Sequence, residues 1–552
     1  MKNVGYFSAE IGRGRTPARM RIPTYSGGLG ALSGCNVETV ADMSYEEFPF
    51  DFTAVSLLYP EGYFTQRIVD GRQQEEYPRW DPEREGLTLL PNKVTIDIAG
   101  TSVEIAAWRE DVRGRARVVP IHFLDTGRAS GCNNNEYFSN ITSRLYAGDN
   151  YQRLLQESVL GFGGVEMLEA LGINVDVWHM NEGHSAFIVP ALLRRLGNIQ
   201  SVRERSVYTT HSPVAGHDGF DYEVISSVFN GTMPQAIRDL AGSEYLSMTQ
   251  LAFNGSRHTN AVSRRHAETS KQLFGRDIAH VTNGVHTRWV SKPLQVLYDE
   301  NLPGWRDDPS LLKGVRRIEK GKIAAAQLEA RHYMVEYLNG RYGAGLDPDR
   351  PVLGWARRFD GSYSPDNGCT WSSYKRPELI FDDMIRLEDL MKKYDAQLIL
   401  AGKAHPNNDH AKREIARVYR RIAELRGGNK NAFFVPDYDM EKCLYMTSGC
   451  DVWLYTPRPR LEACSTSGIC AAMNGRGQIG VRDGWWYEGF RGDNGWVVGG
   501  LEADDQADAE SLYDCIDVAL SSDLTDVAYA VVEAGADFSA HNMVRNYARI
   551  YQ

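Results

Sequence analysis

Two stretches in the second half of the sequence could do chemistry on a phosphate. Arg357 and Arg358 close an apolar run, VLGWARRF (352–359), and Lys375 follows in YKR (374–376). Guanidinium forks bind phosphate oxygens in pairs, and an ammonium adds a compact point charge. The second stretch is DVWLYTPRPRLEACSTSGICAAMNG (451–475). It sets a carboxylate, Glu462, ahead of Ser465, Thr466, Ser467 and Gly468, where an alanine-rich helix should begin. The first turn of a helix offers unpaired N–H groups and the positive end of its dipole, which suits an anion.

These groups need elements to carry them. Asp451 to Tyr455 is short, apolar and bulky, as expected of a strand buried on both faces, and Pro457 and Pro459 end it. VLGWARRF, AQLILAGK and AFFVPDY repeat that pattern between helical stretches, which predicts a parallel, doubly wound sheet. The first half reads similarly. Asn3 to Ser8 predicts a strand followed by Glu10, and YSGGLGALSG (25–34) a glycine-rich turn into a helix, with Gly28 and Gly30 allowing close approach to a ligand. Val175 to His179 and Val207 to Thr210 predict strands delivering Asn181, Glu182 and His184, and then His211, to a sheet edge. For His184 a helix-start histidine bonded to backbone is an equal alternative.

Between these elements, residues 62–84 read as an irregular aromatic excursion, 93–124 as a hairpin with further sheet, and 126–149 as a long loop. Residues 150–171, 310–342 and 526–551 carry long helical patterns.

The chain has 552 residues, too many for one core, and a net charge of −11 without a basic tract. Nucleic-acid and acidic-membrane partners are not expected. No apolar run approaches the roughly 20 residues of a membrane span, and the first residues lack the apolar core of a secretory signal, so a cytoplasmic location is expected. The eight cysteines lack paired metal spacing. Free thiols and no metal are expected, with Cys443 and Cys450 read as core residues.

The chain resembles the α-glucan (glycogen and maltodextrin) phosphorylase family, particularly its short bacterial and archaeal type. The matching segments run from YFSAE (6–10) through YSGGLGALSG, WHMNEGHSAF (178–187), YTTHSPVAGHDGF (208–220), HVTNGVHTRW (280–289), ARRF with YKR, and LILAGKAHP (398–406) to DGWWYEG (483–489). The resemblance implies a GT-B architecture: two Rossmann-like, doubly wound α/β domains facing across a cleft. Residues 1–308 would form the acceptor side, 309–525 the donor and phosphate side, and 526–552 a helix crossing back to the first domain. It also implies a retaining hexosyl transfer. Arg358, Lys375, Glu462 and His211 would be the catalytic residues. Asn283, Glu462, Cys464 and Ser465 would hold the donor sugar. Gly28, Gly30, Arg357, Arg358, Lys375, Thr466, Ser467 and Cys470 would hold phosphate or nucleotide.

The sequence departs from that family where the cofactor would bind. Its stretch reads approximately EASGTSGMKAAMNG, with a lysine that binds pyridoxal phosphate as a Schiff base, and this chain has Cys470 at that place. A thiol cannot form an imine. Cys464 and Ser465 replace a serine and a glycine, and residues 361–373 are inserted. The first reading is therefore a glycosyltransferase that uses a nucleotide-diphosphate sugar, a hydroxyl acceptor favoured as a small molecule, and no covalent pyridoxal phosphate. The alternatives are a phosphorylase with the cofactor held noncovalently, and a non-catalytic sugar-binding protein. A homodimer is open on the family's habit.

Overall fold

The computed structural model describes residues 1–14, 20, 22–213, 218–231, 233–361, 373–425 and 431–552. The insertion noted in the sequence therefore lies almost wholly outside the described residues. The protein is α/β, with two large sheets. The first has nine strands in the order Ala279–His280, His258–Ala261, Ser206–Thr209, Val177–Asn181, Lys2–Ser8, Phe50–Leu57, Val118–Asp125, Thr101–Arg113 and Thr88–Ile98. Its first seven strands run parallel, and the last two add an antiparallel meander. The second sheet has six strands, all parallel, in the order Ala432–Val435, Gln397–Ala401, Val352–Ala356, Val452–Tyr455, Gly477–Gly480 and Gly495–Val497. Helices cover both faces, which is why runs such as Gln397–Ala401 and Val452–Tyr455 are buried along their whole length.

The helical readings hold with interruptions. Residues 150–171 form Asn150–Ser158, a π-helical turn Val159–Gly163, and Gly164–Ala170. A Cβ on Gly161 would lie 2.5 Å from the Phe187 Cβ, so the turn widens where a neighbouring element presses close. Residues 310–342 divide into a 3-10 stretch, Pro309–Arg317, and the helix Lys320–Tyr342. Residues 526–551 divide into Leu524–Ala536 and Ala540–Tyr551. The last helix lies on the first sheet, where the Tyr551 hydroxyl is 2.6 Å from His179 Nδ1 and the Tyr547 hydroxyl is 3.2 Å from Thr209 Oγ1.

One expectation is corrected. Residues 62–84 are not irregular throughout, because Thr65–Val69 and Arg72–Glu76 pair as a hairpin. Asp70 and Gly71, at φ 49° and 72°, make its two-residue turn. The hairpin reaches the second sheet: Gln66 Nε2 donates to the Gly402 carbonyl at 2.9 Å, and Gln66 and Asp437 exchange hydrogen bonds at 2.8 and 2.9 Å. Among the described residues, no helix is long and apolar enough to cross a membrane.

Candidate functional site

A cleft of about 630 Å³ opens at the carboxyl ends of the parallel strands of both sheets. Strand Lys2–Ser8 leads to Glu10, Val177–Asn181 to Glu182 and His184, and Ser206–Thr209 to His211. From the second sheet, Val352–Ala356 leads to Arg357 and Arg358, Gln397–Ala401 to Lys403 and His405, and Val452–Tyr455 to Glu462. Polar side chains gather there because a strand's interior positions are occupied by packing, and its end is the first place a side chain can leave the core.

Two helices begin on opposite walls of the cleft. Gly28–Asp42 starts after Gly27, and Thr466–Met473 starts after Ser465; neither start has a side-chain cap. A Cβ placed on Gly28 would lie 3.9 Å from Thr466 Oγ1, so the two N-termini face each other closely. Their unpaired N–H groups and dipoles converge on one volume, which favours an anion.

The cations divide their work. Arg357 is buried: its Nη2 lies 2.5 Å from Glu462 Oε2, and its Nη1 donates to Ser465 Oγ at 2.8 Å. Burial alone would lower its pKa, but Glu462 and then Tyr455 outweigh that and raise it. Arg358, the next residue, is exposed into the cleft and has no hydrogen bond or ion pair among the described residues. Lys375 is buried, with Nζ 3.9 Å from Asp360 Oδ2 and 5.0 Å from the Tyr374 ring centre. Burial, reinforced by the charge of Arg358, pulls its pKa down to about 8.

That depression predicts a pH dependence. The amine is a cation below about pH 8 and loses its proton above it. Inorganic phosphate should bind more weakly as pH rises past 8, by up to about tenfold per unit where binding needs the proton. Because the unfolded chain holds this proton up to the ordinary lysine value of 10.5, the folded form gains relative stability from pH 8 to 10.5. Isothermal titration with phosphate from pH 6.5 to 9.5 checks the binding limb.

Ser465 sits at φ 67°, ψ 68°, in the left-handed region that favours glycine. A non-glycine residue costs about 1 to 2 kcal/mol there. Its hydroxyl, however, is what satisfies Arg357 Nη1. Ser465→Ala should therefore keep the strain and lose the bond, destabilising by about 1.5 to 3 kcal/mol. Ser465→Gly loses the same bond but relieves the strain, and should be about 1 kcal/mol more stable than Ser465→Ala. Urea unfolding of both variants tests the ordering.

On the opposite rim, Glu182 holds His211. Its carboxylate accepts from the Gly183 N–H at 2.9 Å, the Tyr208 hydroxyl at 3.0 Å and the His211 N–H at 2.7 Å. Burial raises its pKa to about 7 against those hydrogen bonds. Glu182 is also at φ 77°, a strained position for this residue type. Asn181 Nδ2 donates to the hydroxyls of Ser8 and Ser33, both at 3.1 Å, which turns its Oδ1 toward His211 Nε2 at 2.6 Å. Nε2 therefore carries the proton and Nδ1 is the ring's acceptor. Burial, then His266, holds the His211 pKa well below the usual range, so the ring is neutral. Asn283 Oδ1 is buried on the cleft wall without a hydrogen-bond partner among the described residues, an acceptor that a ligand hydroxyl would satisfy.

The cleft thus collects Gly28, His211, Asn283, Arg357, Arg358, Lys375, Glu462, Cys464, Ser465, Thr466, Ser467 and Cys470. Gly30 is not among its lining residues. It is buried inside the helix, where a Cβ would come within 2.3 Å of Tyr25 Cβ, so its smallness serves packing and not a ligand. Cys450 lies in the core as expected, with Sγ 3.8 Å from Met334 Sδ, but Cys443 lines the cleft.

Sequence reasoning missed Tyr146, Arg153 and Asp218, which also line the cleft. Tyr146 and Asp218 sit in loops, where no periodicity marks a residue, and Arg153 lies on the helix Asn150–Ser158, whose spacing singles out its apolar positions. Glu157, His184 and Asp218 bring three ligand atoms together, but Arg153 already pairs with Asp218 at 2.7 Å and Glu157 at 3.5 Å. Burial would raise the Asp218 pKa; Arg153 and His184 outweigh it and bring it to about 2.

No protein-family model matches the chain. A maltodextrin phosphorylase of Thermococcus litoralis is 31% identical over 598 aligned residues, covering 95% of this chain and 68% of the relative. A glycogen phosphorylase of Aquifex aeolicus is 31% identical, covering 94% and 79%. An uncharacterized protein of Methanocaldococcus jannaschii is 28% identical, covering 94% and 92%.

Proposed function

The chain belongs to the glycogen and maltodextrin phosphorylase family, and from that premise we propose that it transfers a glucosyl group between phosphate and a hydroxyl acceptor, with retention at the anomeric carbon. Two sheets opening onto one cleft are what a GT-B reading requires. The observation that carries the proposal is Arg358: a guanidinium without a protein partner among the described residues, on the cleft that two uncapped helix starts face. A phosphate would complete it. The names of these relatives favour sugar phosphate and inorganic phosphate over a nucleotide-diphosphate sugar. The phosphorylase alternative accordingly replaces the nucleotide-sugar reading.

In this account Arg358 and Lys375 neutralise charge on the phosphate as the glycosidic bond breaks, and the helix starts hold its other oxygens. Glu462, fixed by Arg357, orients the sugar hydroxyls. His211 Nδ1 and Asn283 Oδ1 accept hydroxyl protons at the opposite rim. The phosphate itself takes or gives the acceptor's proton on the same face of the sugar.

Pyridoxal phosphate tethered as an imine does not fit these residues. Cys470 offers a thiol, and among the described cleft residues the only lysines are Lys375 and Lys403. Lys403 is held 2.6 Å from Asp437 and donates to the Phe64 carbonyl at 2.8 Å. No step is therefore routed through the cofactor. Borohydride treatment of the purified protein should fix no pyridoxyl group; a reduced adduct on either lysine would reverse that expectation.

The function is tested by supplying maltodextrin with inorganic phosphate and measuring α-glucose 1-phosphate, then the reverse reaction, with UDP- and ADP-glucose as parallel donors. Phosphate-dependent turnover is expected. Turnover with a nucleotide sugar alone, or with none of these donors, overturns the proposal.

A further inference from the structure

The hairpin of Thr65–Val69 and Arg72–Glu76 belongs to the first half of the chain, yet its two buried glutamines bond to the second half. Gln73 exchanges two hydrogen bonds with a single residue: the Ala404 N–H donates to its Oε1, and its Nε2 donates to the Ala404 carbonyl, both at 2.9 Å. Gln66 Nε2 donates to Gln73 Oε1 at 2.8 Å and to the Gly402 carbonyl at 2.9 Å. A carboxamide bonded in this way stands in for a peptide group of a neighbouring strand, so the pair adds a rung beside the loop that follows strand Gln397–Ala401.

That loop in turn supports the segment carrying the phosphate-facing cations. The Phe359 N–H donates to the Lys403 carbonyl at 2.9 Å, and Phe359 and Ala404 pair as a parallel bridge. Ala404 therefore links Gln73 to the residue after Arg358. Asn408 Nδ2 donates to the Asp360 carbonyl, and Asp360 Oδ2 lies 3.9 Å from Lys375 Nζ. We propose that Gln66 and Gln73 are positioning residues for the phosphate, holding from the hairpin the loop that backs Arg358 and Lys375. This role rests on the phosphate reading of the cleft given above.

Arg358 makes no hydrogen bond or ion pair among the described residues, so its place is set by the backbone behind it. A binding group displaced by about 1 Å can cost about a hundredfold in rate. Neutral amides suit the site, because a carboxylate at Gln73 would face Glu75, whose Oε1 accepts from Gln73 Nε2 at 2.7 Å and pairs with Lys412 at 2.8 Å. Ile68 packs against the core of the second sheet, so the hairpin is seated by apolar contact as well as by its amides.

The test separates those two contributions. Gln66→Met and Gln73→Met keep much of the side-chain volume and remove the side-chain hydrogen bonds. In hydrogen exchange on the full-length protein, the Phe359 and Ala404 amides should exchange about tenfold faster in Gln73→Met or more, with the strand Val177–Asn181 unchanged. In isothermal titration, each variant should bind inorganic phosphate about tenfold more weakly than the wild type. Gln66→Met, which leaves the Gln73–Ala404 pair in place, gives the same titration should Gln73→Met not fold. Wild-type phosphate affinity in folded variants, or exchange raised equally throughout the chain, overturns the proposal, since the hairpin would then serve the fold alone. Wild-type protein that binds no phosphate removes instead the reading on which this role rests, and the exchange at Phe359 and Ala404 still decides whether the glutamines hold the loop.

Discussion

Replacing Arg358 by alanine should lower kcat/KM for glucosyl transfer from α-glucose 1-phosphate by about a thousandfold, the scale of removing one preorganised donor from a developing anion. The melting temperature should hardly change. Arg358 faces the cleft and makes no hydrogen bond or ion pair among the described residues, so its removal leaves no buried group stranded. Arg358→Lys should recover only part of the loss, since an ammonium keeps the charge but not the two-pronged geometry. Steady-state kinetics beside a thermal melt separates the effects. Near-wild-type turnover in Arg358→Ala would remove the phosphate assignment, and with it the role given to the facing helix starts.

Glu462→Ala should show the opposite profile and fail first in stability. Arg357 is buried against Glu462 at 2.5 Å, and both are less than a tenth exposed. Removing the carboxylate leaves a buried guanidinium whose one remaining hydrogen bond among the described residues is to the Ser465 hydroxyl, a loss of about 3 to 5 kcal/mol. Glu462→Gln keeps an oxygen for Arg357 and should cost less stability, while still lowering turnover because an amide orients sugar hydroxyls differently. Chemical unfolding of both variants is the measurement. If Glu462→Ala is as stable as wild type, the ion pair is not what fixes this wall of the cleft.

The contrast between these arginines marks where sequence reading stops. Arg357 and Arg358 are neighbours of one type, and the sequence treats them as one phosphate-binding pair. At the end of a strand successive side chains point to opposite sides, so one turns into protein and the other into the cleft. Which goes where depends on Glu462 and Ser465, about a hundred residues away. Gly30 is a similar case. It shares a glycine-rich run with Gly28, but Tyr25 and Glu10 crowd one while the other faces open space and Thr466. Cys443 reads as a core residue because cysteines are among the residues most often buried, and only the packing of its helix beside Thr466–Met473 brings it to the cleft. The hairpin at residues 65–76 was legible in principle, through Asp70–Gly71, but its strands are too polar to show an apolar alternation.

By itself, the sequence determined the succession of buried strands and helices, the family, and the polar residues at strand ends. Those features depend on local periodicity and on residue types that survive at fixed spacing. The tertiary structure alone decided that Ser465 would be strained at a helix start, that His211 would be neutral with its proton on Nε2, and that Lys375 would titrate near pH 8. Each of these depends on burial and on partners brought close from elsewhere in the chain, and desolvation and hydrogen-bond geometry exist only once the chain is packed.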